Sequence, residues 1–223
     1  MTDFIPRQPT RQFDYLHTGA AIYVDSFATI RRETDLSGLP HDAEKLAVRM
    51  IHGSGQVDLA DDLVIHPQLV SAARAALEAG APLLCDATMV ATGVTRSRLP
   101  RDNEVLCFLN DPRVPTLAEQ WSTTRTAAAV SLWEPVLDGA VVAIGNAPTA
   151  LFHLLELIAD AGPRPAAIVG CPVGFIGAVE SKDALAEFAR THGIDIPFVT
   201  VRGRRGGSAM TSSAVNALAQ EQE

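Results

Sequence analysis

Short aliphatic runs recur through most of the chain and predict buried strands. They lie at residues 82–85, 104–109, 140–144, 166–169 and 196–201. None alternates between apolar and polar positions, and continuous apolar runs are typical of parallel strands that are covered on both faces. The pattern therefore predicts a mainly parallel five-stranded sheet.

Longer segments with helical spacing of apolar residues separate these runs. They cover residues 20–33, 42–51, 67–79, 116–136, 149–161, 181–191 and 208–220. Strands that alternate with helices indicate an α/β fold with helices on both faces of the sheet. Since 223 residues without a linker-like stretch fit the soft expectation of about 150 residues per domain, residues 1–223 are predicted to form a single domain.

Composition and charge narrow the function classes. The net charge is −8, from 18 basic and 26 acidic residues, which argues against a nucleic-acid partner because such binding needs a clustered positive face. No uncharged stretch reaches the roughly 20 apolar residues of a membrane span. Cys85, Cys107 and Cys171 lack the close spacing of a metal site or a disulfide framework, which favours a reducing, cytoplasmic location.

Three segments that follow predicted strands carry glycine, proline or arginine. In parallel α/β sheets, ligands bind beyond the carboxyl ends of strands, so these loops are candidate anion sites. Residues 145–149 and 170–178 fit either anion-binding loops or tight turns. The third combines Arg202, Arg204 and Arg205 with a glycine-rich helix start, which fits either a bound anionic small molecule or a solvated surface patch.

His52 is the best candidate for an acid–base group among six histidines. It lies at the predicted C-terminus of a helix, where the dipole favours a protonated imidazole that could act as a general acid. A histidine that only caps the helix fits the same spacing. The sequence has no P-loop, and because it also has no H-E-x-x-H and no paired C-x-x-C, a metal site lacks support.

Six sequence motifs resemble those of the precorrin-8X methylmutase family, which includes the cobalt-precorrin-8 enzymes of cobalamin biosynthesis. They are IYVDSF at 22–27, RMIH at 49–52, GAPLLCDA at 80–87, GNAPTALF at 145–152, PVGF at 172–175 with ESK at 180–182, and GRRGGSA at 203–209. They follow the order of the family and span nearly the whole chain.

The resemblance implies an α/β homodimer with sites near its interface and no bound cofactor. It also implies an isomerase that moves a methyl group from C-11 to C-12 of the corrinoid precorrin-8X by a 1,5-sigmatropic shift, giving hydrogenobyrinate. By similarity, His52 is the catalytic acid that protonates a ring nitrogen.

Such a substrate carries many carboxylates, which accounts for basic loops in an acidic protein. From their loop positions, we expect Arg204, with Arg202 and Arg205 beside it, to bind these carboxylates. The other expected substrate contacts are Arg125, the loop amides around Asn146, Thr149 and Ser208, and the ring-lining Ser26 and Thr95. The alternatives are a non-enzymatic corrinoid carrier that holds hydrogenobyrinate for hand-over to the next enzyme, and, less favoured without a P-loop lysine, a phosphate-transferring enzyme.

Overall fold

The computed structural model describes residues 5–10 and 13–220, so residues 1–4, 11–12 and 221–223 of the predicted domain lie outside the described part. Within it, six strands occur, β1 Leu63–Ile65, β2 Leu83–Cys85, β3 Val105–Leu106, β4 Val141–Ile144, β5 Ala167–Gly170 and β6 Phe198–Val201. The helices are α1 Gly19–Glu33, α2 Glu44–Ser54, α3 Leu69–Glu78, α4 Thr88–Gly93, α5 Val114–Gln120, α6 Arg125–Ser131, α7 Glu134–Leu137, α8 Pro148–Ala159, α9 Ala178–Ala186, α10 Phe188–His192 and α11 Ser208–Leu218. Short 3₁₀ turns lie at His41–Ala43, Val57–Asp62 and Arg96–Arg98.

All strands pair in one sheet, in the order β1-β6-β5-β4-β2-β3. The five predicted strands are β2 to β6, and each pair among them is parallel. The prediction of five strands is wrong by one, because β1 adds an antiparallel edge to β6. A three-residue strand that is only partly buried carries too short a pattern to be distinguished from a loop.

Helices cover both faces of the sheet, as predicted. In β4, Val141 and Ala143 point into one core, which also contains residues of α2, α3 and α11. Val142 and Ile144 point into the opposite core with residues of α8 and α10. This two-sided burial explains why the strand sequences are apolar without alternation.

Two predicted helices are divided in the structure. The segment predicted at 116–136 forms α5, α6 and α7. The first break occurs because Ser122 adopts a positive φ of 50° and Thr124 caps α6, its Oγ1 accepting from the Ala127 amide at 3.2 Å. At the second break, Pro135 lies in the first turn of α7. The segment predicted at 181–191 breaks at Glu187 between α9 and α10. No glycine or proline occurs at residues 122–124 or at Glu187, so no typical helix-breaking residue marks these two positions in the sequence.

Close packing of α2 on α11 places the end of one helix beside the start of the other. Gly53 makes this approach possible, since a Cβ there would collide with Ser213 and lie 3.6 Å from the Ala209 carbonyl. The last turn of α2 therefore lies next to the first turns of α11, at the edge of the sheet where the parallel strands end.

Within residues 5–10 and 13–220, no helix combines the length and the hydropathy of a bilayer-spanning segment.

Candidate active site

His52 lies in the last turn of α2 and is held by groups of α1. Its Nδ1 is 2.8 Å from the Ser26 hydroxyl, which joins the two helices across 26 residues of sequence. The rings of Tyr23 and Phe27 lie 5.2 and 5.3 Å from the imidazole. Because Nδ1 is engaged by Ser26, Nε2 is the nitrogen left to meet a substrate.

The environment of His52 favours a neutral imidazole. Burial against α1 lowers the pKa of His52, and the positive charge of Arg49 lowers it further. Arg49 is itself buried, with its guanidinium 5.3 Å from the centre of the Phe27 ring. Both effects act against the helix dipole, which is expected to favour the protonated form.

A cleft of about 500 Å³ opens beside the last turn of α2, at the carboxyl ends of the strands. Four segments line it: the end of α2 with the residues after it, the start of α4, the loop after β5, and the loop after β6 with the start of α11. The lining residues are Gly53, Ser54, Gln56, Met89, Val173, Gly174, Phe175, Arg204, Arg205, Gly206, Gly207, Ser208, Ala209 and Met210. We call this the carboxyl-edge cleft. His52 immediately precedes Gly53 of its lining, but neither His52 nor Ser26 is among the described residues that line it.

The three arginines after β6 have different roles. Arg204 lines the cleft with its guanidinium 5.1 Å from the centre of the Phe175 ring and no carboxylate partner within residues 5–10 and 13–220. Arg205 also lines the cleft, but Asp58 at 2.9 Å and Asp62 neutralise it. Arg202 is exposed and is not among the described residues that line the cleft. Only Arg204 therefore offers the cleft an uncompensated positive charge from this cluster.

Ser208 begins α11 at the floor of the cleft. Its Oγ is buried and has no hydrogen-bond partner within the described residues. A buried hydroxyl without a partner is costly, so a ligand acceptor or a water is the expected partner of this group. Ser208 thus lines the cleft, and its contact with substrate stays a prediction.

Asp86 corrects the prediction for the loop after β4. Its carboxylate is 3% exposed and accepts the amides of Gly145 at 3.0 Å, Asn146 at 2.9 Å and Ala147 at 2.8 Å. The amides around Asn146, predicted to bind substrate carboxylates, are therefore occupied by a carboxylate of the protein. Burial raises the pKa of Asp86, an effect that the three amide hydrogen bonds oppose.

The other predicted contacts lie apart from the carboxyl-edge cleft. The Thr149 hydroxyl bonds those of Thr124 at 2.8 Å and Thr126 at 3.2 Å, and the neighbouring Arg125 donates to the Leu109 carbonyl at 3.2 Å. The side chain of Asn146 is exposed on the adjacent loop.

Thr95 is exposed between α4 and the following 3₁₀ turn, where its amide donates to Asn216 at 2.8 Å. Thr95, like Arg125, Asn146 and Thr149, therefore does not line the carboxyl-edge cleft of its own chain.

Two charged residues at this edge were missed by sequence reasoning. Asp86 directly follows β2, a position that could have marked it. Lys182 lies inside α9 between Ser181 and Asp183, where the sequence does not distinguish it from an exposed helical lysine. In the part of the chain that the structure describes, no group of three or more His, Cys, Asp or Glu side chains is arranged to hold a metal ion.

Comparison with known proteins gives consistent matches over most of the chain. The family model described as precorrin-8X methylmutase matches residues 21–221. A precorrin-8X methylmutase from a Sinorhizobium species is 58% identical over 209 residues, 94% of this chain and 98% of that protein. A cobalt-precorrin-8 methylmutase from Priestia megaterium is 33% identical over 194 residues, 86% of this chain and 84% of that protein. The crystal structure of a precorrin-8X methyl mutase from Thermus thermophilus superimposes with a TM-score of 0.80 at 37% identity, covering 90% of this chain and 95% of the other.

Proposed function

The chain belongs to the precorrin-8X methylmutase family and is an isomerase that shifts a methyl group, and we propose that it moves the methyl from C-11 to C-12 of precorrin-8X to give hydrogenobyrinate. The observation that carries this proposal is that His52, held by Ser26, directly precedes Gly53, which lines a cleft with one uncompensated arginine. An arginine without a carboxylate partner and a histidine next to a lining residue suit a polycarboxylate whose rearrangement needs one proton.

In this proposal, His52 is the general acid. The imidazolium gives its Nε2 proton to a ring nitrogen of the macrocycle, the methyl group then migrates, and the same proton returns to His52, so the isomerisation consumes none. Because burial and Arg49 lower its pKa, the imidazolium is a stronger acid than an ordinary histidine. Ser26 acts through His52 by fixing the ring orientation.

The cleft provides two kinds of contact for such a ligand. Arg204 and Ser208 bind peripheral carboxylates by charge and hydrogen bonding. Exposed apolar side chains, Met89, Val173 and Phe175, line the same cleft and offer a surface for the face of a conjugated ring. Aligning the bound macrocycle is a large part of catalysis for a unimolecular shift.

A homodimer would supply the remaining contacts. The outer face of α1 exposes Ile22, Tyr23 and Val24. A depression of about 560 Å³ borders this face and is lined by side chains of α1 together with Arg49 and Arg98. We propose that a second copy covers this face and that Thr95, Arg125, Asn146 and Thr149 reach the partner's site, since they lie outside the cleft of their own chain. Size-exclusion chromatography with light scattering tests this, and a monomer that retains full turnover would contradict it.

The metal-free substrate is the better candidate of the two known forms. The relative named for precorrin-8X is 58% identical, whereas the one named for cobalt-precorrin-8 is 33% identical. Parallel incubations with precorrin-8X and cobalt-precorrin-8 decide which form is the substrate.

The buried, unpaired thiols of Cys85 and Cys171 favour a cytoplasmic location.

The test of function is incubation with precorrin-8X while the visible spectrum is followed, because moving the methyl group changes the conjugation. Wild-type protein should isomerise the substrate, and His52→Ala should lose turnover while still binding hydrogenobyrinate. His41→Ala, which changes an exposed histidine, is the matched control. Normal turnover by His52→Ala would refute the acid role, and tight product binding without any isomerisation would select the corrinoid carrier and hand-over instead.

A further inference from the structure

Lys182 is a buried cation beneath the loop after β6. It lies in α9 and is 1% exposed, and its Nζ donates to the Arg205 carbonyl at 2.6 Å. Burial lowers the pKa of Lys182, while the charges of Cys171, Asp183 and Asp62 act in the opposite direction. A lysine is seldom buried so fully unless its ammonium has a specific partner, and here that partner is a backbone carbonyl.

The hydrogen bond fixes the orientation of the Arg205–Gly206 peptide. The C=O and N–H of a trans peptide point in opposite directions, so a carbonyl turned inward to Lys182 turns the Gly206 N–H outward. Gly206 lines the carboxyl-edge cleft, and its N–H has no hydrogen-bond partner within residues 5–10 and 13–220. The outward side of this peptide is therefore the side of the cleft.

The same loop is pressed against the loop after β5. A Cβ at Gly206 would collide with the Cys171 carbonyl, and the Gly207 amide donates to that carbonyl at 2.9 Å. The loop after β6 is thus held in place by its contacts with the Cys171 carbonyl and by the hydrogen bond from Lys182. The unpartnered buried Oγ of Ser208 lies two residues after the outward N–H.

We propose that Lys182 is a positioning residue for carboxylate binding, which orients the Gly206 N–H so that it and the Ser208 hydroxyl receive one carboxylate of the ligand. This inference rests on the proposed function. It gives a role to a charged residue that does not touch the substrate, and it adds the positive charge of Lys182 beneath the anion.

The test compares two probes, hydrogenobyrinate and its fully esterified form, which keeps the ring but removes the negative charges. Lys182→Met keeps the length of the buried chain and removes the donor. It should weaken binding of hydrogenobyrinate at least tenfold and change binding of the ester less than twofold. Lys182→Arg, which keeps a donor and the charge, should recover part of the loss.

The controls separate this role from general damage. Lys45 is the only other lysine in the sequence and is exposed, so Lys45→Met makes the same charge change and should leave both affinities within twofold. Equal weakening of acid and ester by Lys182→Met would indicate a merely structural role and overturn the inference. Failure of the wild-type protein to bind hydrogenobyrinate would instead refute the proposed function.

A measurement on the wild-type protein covers the case in which Lys182→Met does not fold. The Gly206 amide resonance should shift on addition of hydrogenobyrinate and stay in place on addition of the ester. A Gly206 resonance that does not respond to hydrogenobyrinate would overturn the inference.

Discussion

Ser26→Ala isolates the hydrogen bond that orients His52. The substitution removes a hydroxyl 2.8 Å from Nδ1 and keeps the α1 backbone, since alanine is a good helix former. A neutral hydrogen bond of this kind contributes about 0.5–1.5 kcal/mol. If this energy serves to orient the acid in the transition state, kcat should fall about two- to tenfold while KM changes little.

The assay is the spectroscopic isomerisation of precorrin-8X, together with ¹⁵N spectra of the imidazole. The spectra of the variant should show a changed balance between the Nδ1–H and Nε2–H forms, because the bond to Ser26 no longer selects one. Ser71→Ala, which removes an exposed hydroxyl from α3, should alter neither measurement. An unchanged kcat with an unchanged tautomer balance in Ser26→Ala would refute the reasoning.

Three further predictions follow from the site. Arg204→Gln should raise KM about tenfold, more at low salt, because it removes a charge-assisted contact; a salt-independent change would contradict this. Asp86→Ala should lower the free energy of unfolding by about 3 kcal/mol, since it leaves two buried amides and one partly buried amide unpaired, and urea denaturation that shows less than about 1 kcal/mol would contradict it. Because the pKa of His52 is lowered in the folded state, the unfolded chain binds the proton at a higher pH than the folded chain does. As the pH falls through the ordinary histidine value of about 6.5, the wild type should therefore lose stability relative to His52→Gln. Thermal melts in which the two proteins differ equally at pH 8 and pH 5 would exclude this.

The buried carboxylate of Asp86 explains how the loop after β4 keeps its shape. Three consecutive amides converge on one side chain, an arrangement that resembles an anion site occupied from within. The loop thereby presents the side chains of Asn146 and Thr149 outward rather than its backbone. Substrate contacts from this loop are thus expected from side chains.

The sequence by itself determined the parallel sheet, the helices on both of its faces and the motifs around His52. These features are local. A strand buried on two faces requires an uninterrupted apolar run, and each motif consists of a few consecutive residues. The edge strand β1 and the breaks around Ser122 and Glu187 were not determined in this way, since each depends on a short segment whose pattern is ambiguous.

Only the tertiary structure decided which charged groups remain available for a ligand. Arg205 is neutralised by Asp62, 143 residues away, and the amides of the loop after β4 are taken by Asp86, about 60 residues away. The pKa of His52 likewise depends on its burial against α1, from which Ser26 reaches across 26 residues. Hydrogen bonds and ion pairs act over a few ångströms of space at any sequence separation, so the pattern of residues could name these groups but not their partners.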